Sequence, residues 1–142
     1  MPKFFSTKQL FGFTILELIA VVIIIAIIAG FAIPSYQKTL EKTYRKQATA
    51  DLIAVHAAQQ IKYSEDTQYY PNSATTVTVA SINSNLRLNL IEQGMVYTCT
   101  GVAGGGSFTC DAVRFASPVW TLRVTSAALS ASNPTCQSGP CP

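Results

Sequence analysis

A single carboxylate, Glu17, interrupts an apolar run that covers residues 13–33, close to its start and just after Gly12. A carboxylate at the centre of a membrane span costs roughly 2.5–3.5 kcal/mol on insertion scales, and less near the interface. A cationic partner is the chemistry that would offset this. Other residues with chemical potential are few. Four cysteines, Cys99, Cys110, Cys136 and Cys141, occupy the last third of the 142-residue chain, and the one histidine, His56, is far from them in sequence. No C-x-x-C is present, so two disulfides formed in an oxidising compartment are expected over a zinc site. Three pairings are open. Cys99–Cys110 with Cys136–Cys141 is the expected one, because each bond closes a short local loop rich in glycine or proline. In the chain-entropy account the shorter loop stabilises less, so Cys99–Cys110 is expected to matter more.

Catalytic chemistry finds little to build on. A nucleophilic site needs a serine or cysteine near a histidine with an orienting acid. His56 is the one candidate base, and a helical pattern accounts for it as a solvated or core-edge residue. Glu65 and Asp66 are adjacent in a polar stretch, which suits a solvated turn better than a glycosidase pair. Gly104-Gly105-Gly106 lacks the lysine and following helix of a phosphate loop. An enzyme, a cofactor and a metal are therefore not expected. The net charge is +3, and removal of residues 1–12 with Lys3 and Lys8 would leave eight basic residues against seven acids. No long basic patch with interleaved aromatics supports nucleic-acid binding. Lys62, Arg87, Arg114 and Arg123 read as solvated charges, with a nucleic-acid groove as the alternative.

The elements that must position Glu17 and the cysteines follow from periodicity. Only 12% of residues are charged, and much of the 49% hydrophobic content falls in the first third. A helix over residues 13–33 would be about 31 Å long at about 1.5 Å per residue, enough to cross a bilayer. Pro34 predicts a kink or local break near Ile33. The helical pattern then resumes: Leu40, Tyr44, Ala48, Leu52, Val55 and Gln59 recur every three or four residues, and Ile53, Ala57 and Ile61 widen the stripe. One long bent helix is expected from about Phe13 to about Tyr63, half membrane-compatible and half amphipathic. Residues 64–74 read as polar turns. Residues 75–90 are ambiguous: Thr76-Val77-Thr78-Val79 and Leu86, Leu88 and Leu90 alternate as strands do, and neither reads well as helix. Residues 95–100, 107–115 and 119–125 are three further strands. Trp120, Leu122 and Val124 mark the buried side of the last one. Residues 127–142 read as a surface tail pinned by Cys136 and Cys141.

The fold expected is α+β. A long N-terminal helix, membrane-spanning and then amphipathic, packs on a C-terminal antiparallel β-sheet head. Its divisions are a leader at 1–12, a transmembrane or filament-core helix at 13–34, the amphipathic half of that helix at 35–63, and the head at 64–142. Two other readings fit the apolar run: a secretory signal cleaved after Ala32, and an ordinary single-pass anchor. The first strains against the length of the apolar core and the second leaves Glu17 unexplained. Charge counting alone, Lys3 and Lys8 against Lys38, Lys42, Arg45 and Lys46, would hold the head inside the cell. The cysteines place it outside.

The stretch Lys8-Gln9-Leu10-Phe11-Gly12-Phe13-Thr14-Ile15-Leu16-Glu17, continuing through the apolar run to Ala32-Ile33-Pro34-Ser35-Tyr36, resembles the N-terminus of type IV prepilins. The G-F-T-x-x-E core before an unbroken apolar helix carries the likeness, which continues more loosely through residues 63–71 and the cysteine-bearing strands. The resemblance implies that a prepilin peptidase cuts between Gly12 and Phe13, that the new amine of Phe13 is methylated, and that Glu17 faces the N-terminus of a neighbouring subunit's helix. Elementary electrostatics agrees. The freed amine is a cation one helical turn from Glu17, and staggered copies could pair one chain's carboxylate with the next chain's amine. Ala20, Ala26, Ala29, Gly30 and Ala32 are small enough for close helix approach.

The resemblance, closest to type IVa pilins, implies a structural subunit of a type IV pilus, a helical homopolymer serving adhesion or twitching motility. It implies a precursor in the inner membrane with its N-terminus cytoplasmic and its head periplasmic, then an extracellular fibre, with the pilus assembly machinery as partner. The alternatives are a pseudopilin of a type II secretion system or a minor pilin in DNA uptake. The resemblance associates major secretion pseudopilins with a calcium site of acids near the C-terminus. Residues 116–142 contain no Asp or Glu, which favours the pilus.

Overall fold

The computed structural model describes residues 14–126 and 134–139. The leader and the Gly12–Phe13 junction lie outside the described residues, as does Cys141. The first helix, α1, spans Ile15–Asp66. The chain divides into two compact units, Met1–Glu41 and Lys42–Pro142.

In the first unit α1 opens on a cap. The Thr14 hydroxyl accepts a hydrogen bond from the Glu17 backbone N–H at 3.2 Å, and the Thr14 carbonyl accepts one from Leu18 N at 3.1 Å. Pro34 lies inside the helix, which is assigned without interruption on both sides. Of the two expectations at Pro34, a kink or a local break, the break does not occur. Proline removes one rung of the ladder, the bond that would reach the Gly30 carbonyl, while the flanking rungs persist. The Thr39 hydroxyl adds a local bond to the Ser35 carbonyl at 3.0 Å.

In the second unit the rest of α1 lies on a five-stranded antiparallel sheet. Its strands are β1 (Thr76–Thr78), β2 (Val96–Gly101), β3 (Phe108–Arg114), β4 (Trp120–Thr125) and β5 (Thr135–Ser138), in sequential order. A short helix, α2 (Val79–Leu86), separates β1 from β2. The core forms where one helix line meets one sheet face. Ala48, Leu52, Val55 and Gln59 are buried against Tyr97, Cys99, Phe108, Cys110, Ala112, Trp120, Leu122 and Val124. Strand side chains alternate between faces, so Trp120, Leu122 and Val124 go inward while Thr121 and Arg123 do not.

Five expectations need correction. α1 runs to Asp66, three residues past Tyr63, and stops where Thr67 adopts a left-handed φ of 58°. The strand signal at Val79 ends at Thr78; residues 79–86 are helical because Ile82 and Leu86, one turn apart, are buried in the head core. Residues 86–90 are not a strand. The Asn83 side chain clamps Leu90 instead, accepting from its N–H at 2.8 Å and donating to its carbonyl at 2.9 Å. β5 lies in the stretch read as a tail. Thr-Cys-Gln-Ser has no apolar alternation, and the strand is an edge held by pairing with β4, with an irregularity between Thr121 and Leu122. Finally, Ile53 and Ile61 are 38% and 61% exposed. They form, with Ala57, a separate line turned about 100° or more from the buried one at about 100° per residue.

Two backbone contacts fix how the α1–β1 connection meets the sheet. Gly101 carries no side chain because a Cβ there would stand 1.8 Å from the Pro71 carbonyl oxygen. The buried Gln59 accepts from Tyr70 N–H at 2.9 Å and donates to the Tyr70 carbonyl, completing both backbone groups. Gln59→Leu strands that pair of polar groups in the interior, where each orphan costs about 1–3 kcal/mol. The expected loss is about 2 kcal/mol or more, read from the denaturant midpoint of the chain in detergent.

Candidate assembly site

From Ile15 to Ile33 every large apolar side chain is between 45% and 80% exposed. The segment is apolar on all sides, so no face distinguishes a core from a surface. By length and composition α1 can cross a membrane. Glu17 is the acid in its first turn. The Thr14 cap gives this position a second role that the sequence reading missed. Thr14-Ile15-Leu16-Glu17 has the T-x-x-E spacing of a capping box, in which the first side chain bonds the backbone N–H of the fourth. That half of the box is made. The signal was available in the sequence, where the same four residues were read only as part of a longer motif. An acid here also complements the positive helix N-terminus. Phe13, whose amine is the expected cation, lies outside the described residues.

The head supplies the other expected residues. Cys99 and Cys110 are register partners across β2 and β3 and are joined, with Cα atoms 4.1 Å apart. The bond closes the glycine-rich β2–β3 loop as the spacing implied, and it sits on the inner sheet face, with both residues 1% exposed. Cys136, on β5, is also disulfide-bonded. The expected Cys136–Cys141 pairing falls outside the described residues, because Cys141 does.

The remaining candidates do not converge. The half-buried His56 ring lies 6.0 Å from that of Phe108, tilted by 51°. Lys62 is ion-paired with Asp66, while Glu65 is exposed. Arg123 makes a two-pronged bond to Asp111, its register partner across β3 and β4, at 2.7 and 2.8 Å. Arg114 is buried, its guanidinium 4.0 Å from the centre of the Tyr44 ring and donating to the Gly94 carbonyl at 3.2 Å. Arg87 caps α2 with φ 54°. Three of the four cations read as solvated are thus engaged within the head. Gly104 and Gly105 have positive φ and belong to the β2–β3 turn, as expected of punctuation rather than a phosphate loop.

One further polar contact ties helix to sheet. The Tyr97 hydroxyl donates to the Asp51 carboxylate from a buried ring. Burial first, and then the Asp51 bond and charge, push the Tyr97 phenol well above its ordinary range. The folded head therefore keeps this proton after the unfolded chain has lost it. Stability from the contact is complete below about pH 10 and declines as the pH rises further. Tyr97→Phe is expected to flatten that alkaline loss, as seen in urea midpoints compared between about pH 8 and pH 11.

Over 68 residues the chain is 31% identical to the type II secretion system core protein G of Escherichia coli K12, covering 48% of this chain and 46% of that protein. The protein of the same name from Vibrio cholerae is 36% identical over 62 residues, 44% of this chain and 42% of its own length. The type IV major pilin protein PilA of Myxococcus xanthus is 40% identical over 58 residues, 41% of this chain and 26% of that protein. Over these matched residues the chain is similar to proteins of the type IV pilin-like kind. These matches span less than half the length of each of the three relatives. No protein-family model and no solved structure matches the chain. The long helix and the five-stranded antiparallel head give the chain an α+β, pilin-like fold.

Proposed function

We propose that this chain is the building block of a type IV pilus, held first in the inner membrane by residues 13–33 and then polymerised through the same segment. The observation that carries the reading is the exposure of the whole apolar stretch from Ile15 to Ile33 beside a head that closes its own core. A helix apolar all round is stable only in lipid or wrapped by other helices. Identical chains meeting by non-closing contacts give a fibre. A prepilin peptidase cuts between Gly12 and Phe13, and the methylated Phe13 amine pairs with Glu17 of the next copy. The head is exported, the fibre serves adhesion or twitching motility through the pilus assembly machinery, and the chain is structural rather than enzymatic.

The similarity to core protein G supports a second reading, a pseudopilus subunit of a secretion system. The lack of any Asp or Glu in residues 116–142 favours the pilus, because hard cations such as calcium take charged oxygen ligands. Terminal sequencing of the mature chain, combined with imaging of the cell surface, tests the proposal. It should begin at a methylated Phe13, in fibres that extend beyond the outer surface. A chain beginning at Met1 or at Ile33 would end the filament reading, and fibres confined to the periplasm would favour secretion.

A further inference from the structure

The head unit carries an apolar tip with a basic flank. The turn from β3 to β4 exposes Phe115 by 69% and Val119 by 53%, and Ile91, three residues before Gly94, by 52%. This turn is held at the point where α1 enters the head. Arg114, beside Phe115, stacks on Tyr44 and bonds the Gly94 carbonyl, while Arg45 lies over the ring of Trp120, beside Val119, at 5.7 Å. On the same first turns of the head helix stand Lys42 and Lys46, both exposed. They are four residues apart and so share a face, an arrangement that repels within an isolated helix. Neither lysine has a carboxylate partner among the described residues. Arg45 Nε is buried and unbonded among them. The acids nearest in sequence are Glu92, next to Ile91, and Glu41, next to Lys42, against the four cations Lys42, Arg45, Lys46 and Arg114. The local balance is positive.

An exposed phenylalanine and aliphatics beside unpaired lysines match the chemistry of a bilayer interface, where rings enter the headgroup boundary and long basic chains reach anionic phosphates. We propose that, before assembly, the head docks on an anionic lipid surface through Phe115 and Val119, with Lys42 and Lys46 on the lipid phosphates. The inference rests on residues 13–33 being a membrane anchor, which holds the head beside such a surface. Docking keeps the tip covered until a neighbouring copy or the assembly machinery replaces the lipid.

The test uses the full chain with Phe115→Trp, reconstituted into phosphatidylcholine vesicles with or without phosphatidylglycerol, and brominated lipid as quencher. Flotation of the vesicles first reports anchoring. With phosphatidylglycerol, the added tryptophan should be quenched, and the docked-to-undocked ratio should fall about fivefold per lysine in K42Q and K46Q. High salt should have the same effect. Hydrogen exchange over residues 115–119 in the unsubstituted chain should slow only with the anionic lipid. Quenching and exchange indifferent to phosphatidylglycerol and to both lysines would overturn the inference while leaving the anchor intact. Quenching that tracks the protein-to-lipid ratio would overturn it in favour of a second copy. A chain that fails to float removes the anchor and the inference together.

Discussion

Glu17→Ala is expected to leave membrane insertion intact, or slightly improved, while fibre assembly is lost. Removing a carboxylate from the apolar run lowers the insertion cost, which bounds any gain at roughly 2.5–3.5 kcal/mol. Across a subunit boundary the same change would leave a buried amine without its counter-charge, a loss of about 3–5 kcal/mol per contact. That is a factor of roughly 150 to 5,000 at each addition, at about 1.4 kcal/mol per tenfold, and it compounds along a polymer. The capping geometry at Thr14 offers a competing account, because Glu17 also occupies the fourth position of a capping box. Glu17→Gln separates the two. Glutamine serves a capping box but carries no charge, so it should be as deficient as alanine if the ion pair governs assembly. Sheared fibre yield and the carbonate-resistant membrane fraction are the readouts. Wild-type fibre yield from Glu17→Gln would assign the residue to helix capping.

Loss of the Cys99–Cys110 bond should destabilise the head by about 2–4 kcal/mol, seen in Cys99→Ala/Cys110→Ala by denaturant unfolding in detergent. A Cys99→Ser change alone should cost more. It puts a hydroxyl into a fully buried site on the inner sheet face, where an unmet polar group adds about 1–3 kcal/mol. Cys136→Ala should cost less than the double change, because it lies on an edge strand and is only partly buried where it packs against the core. Mass mapping that finds Cys99 and Cys110 as free thiols in the mature chain would refute the first expectation.

The long helix, its buried line and the three central strands were legible because their hydrophobic periods are long and their side chains decide their faces. Ala48, Leu52, Val55 and Gln59 sit where the spacing put them, as do Trp120, Leu122 and Val124. The apolar exposure of residues 15–33 was equally plain from composition. What failed depended on tertiary contacts. Residues 79–86 have β-branched and polar residues with weak helical preference, and they fold as helix because Ile82 and Leu86 reach the core. β5 is defined by its neighbour, not by its own pattern. Ile53 and Ile61 look like core residues by type, yet they face away from the sheet. The disulfide's place in the interior was illegible because a short separation in sequence fits a turn staple and a cross-strand bond equally well.

The depth of the two joined sulfurs bears on the order of events during maturation. Cys99 and Cys110 lie on the sheet face that Ala48, Leu52 and Val55 cover. No thiol oxidase can reach them once the helix has closed over the hairpin. Oxidation must precede that closure, so a newly made chain has a limited interval in which the hairpin is paired and its thiols are still accessible. An oxidase-deficient cell would then accumulate dithiol heads that a later oxidant repairs only by reopening them.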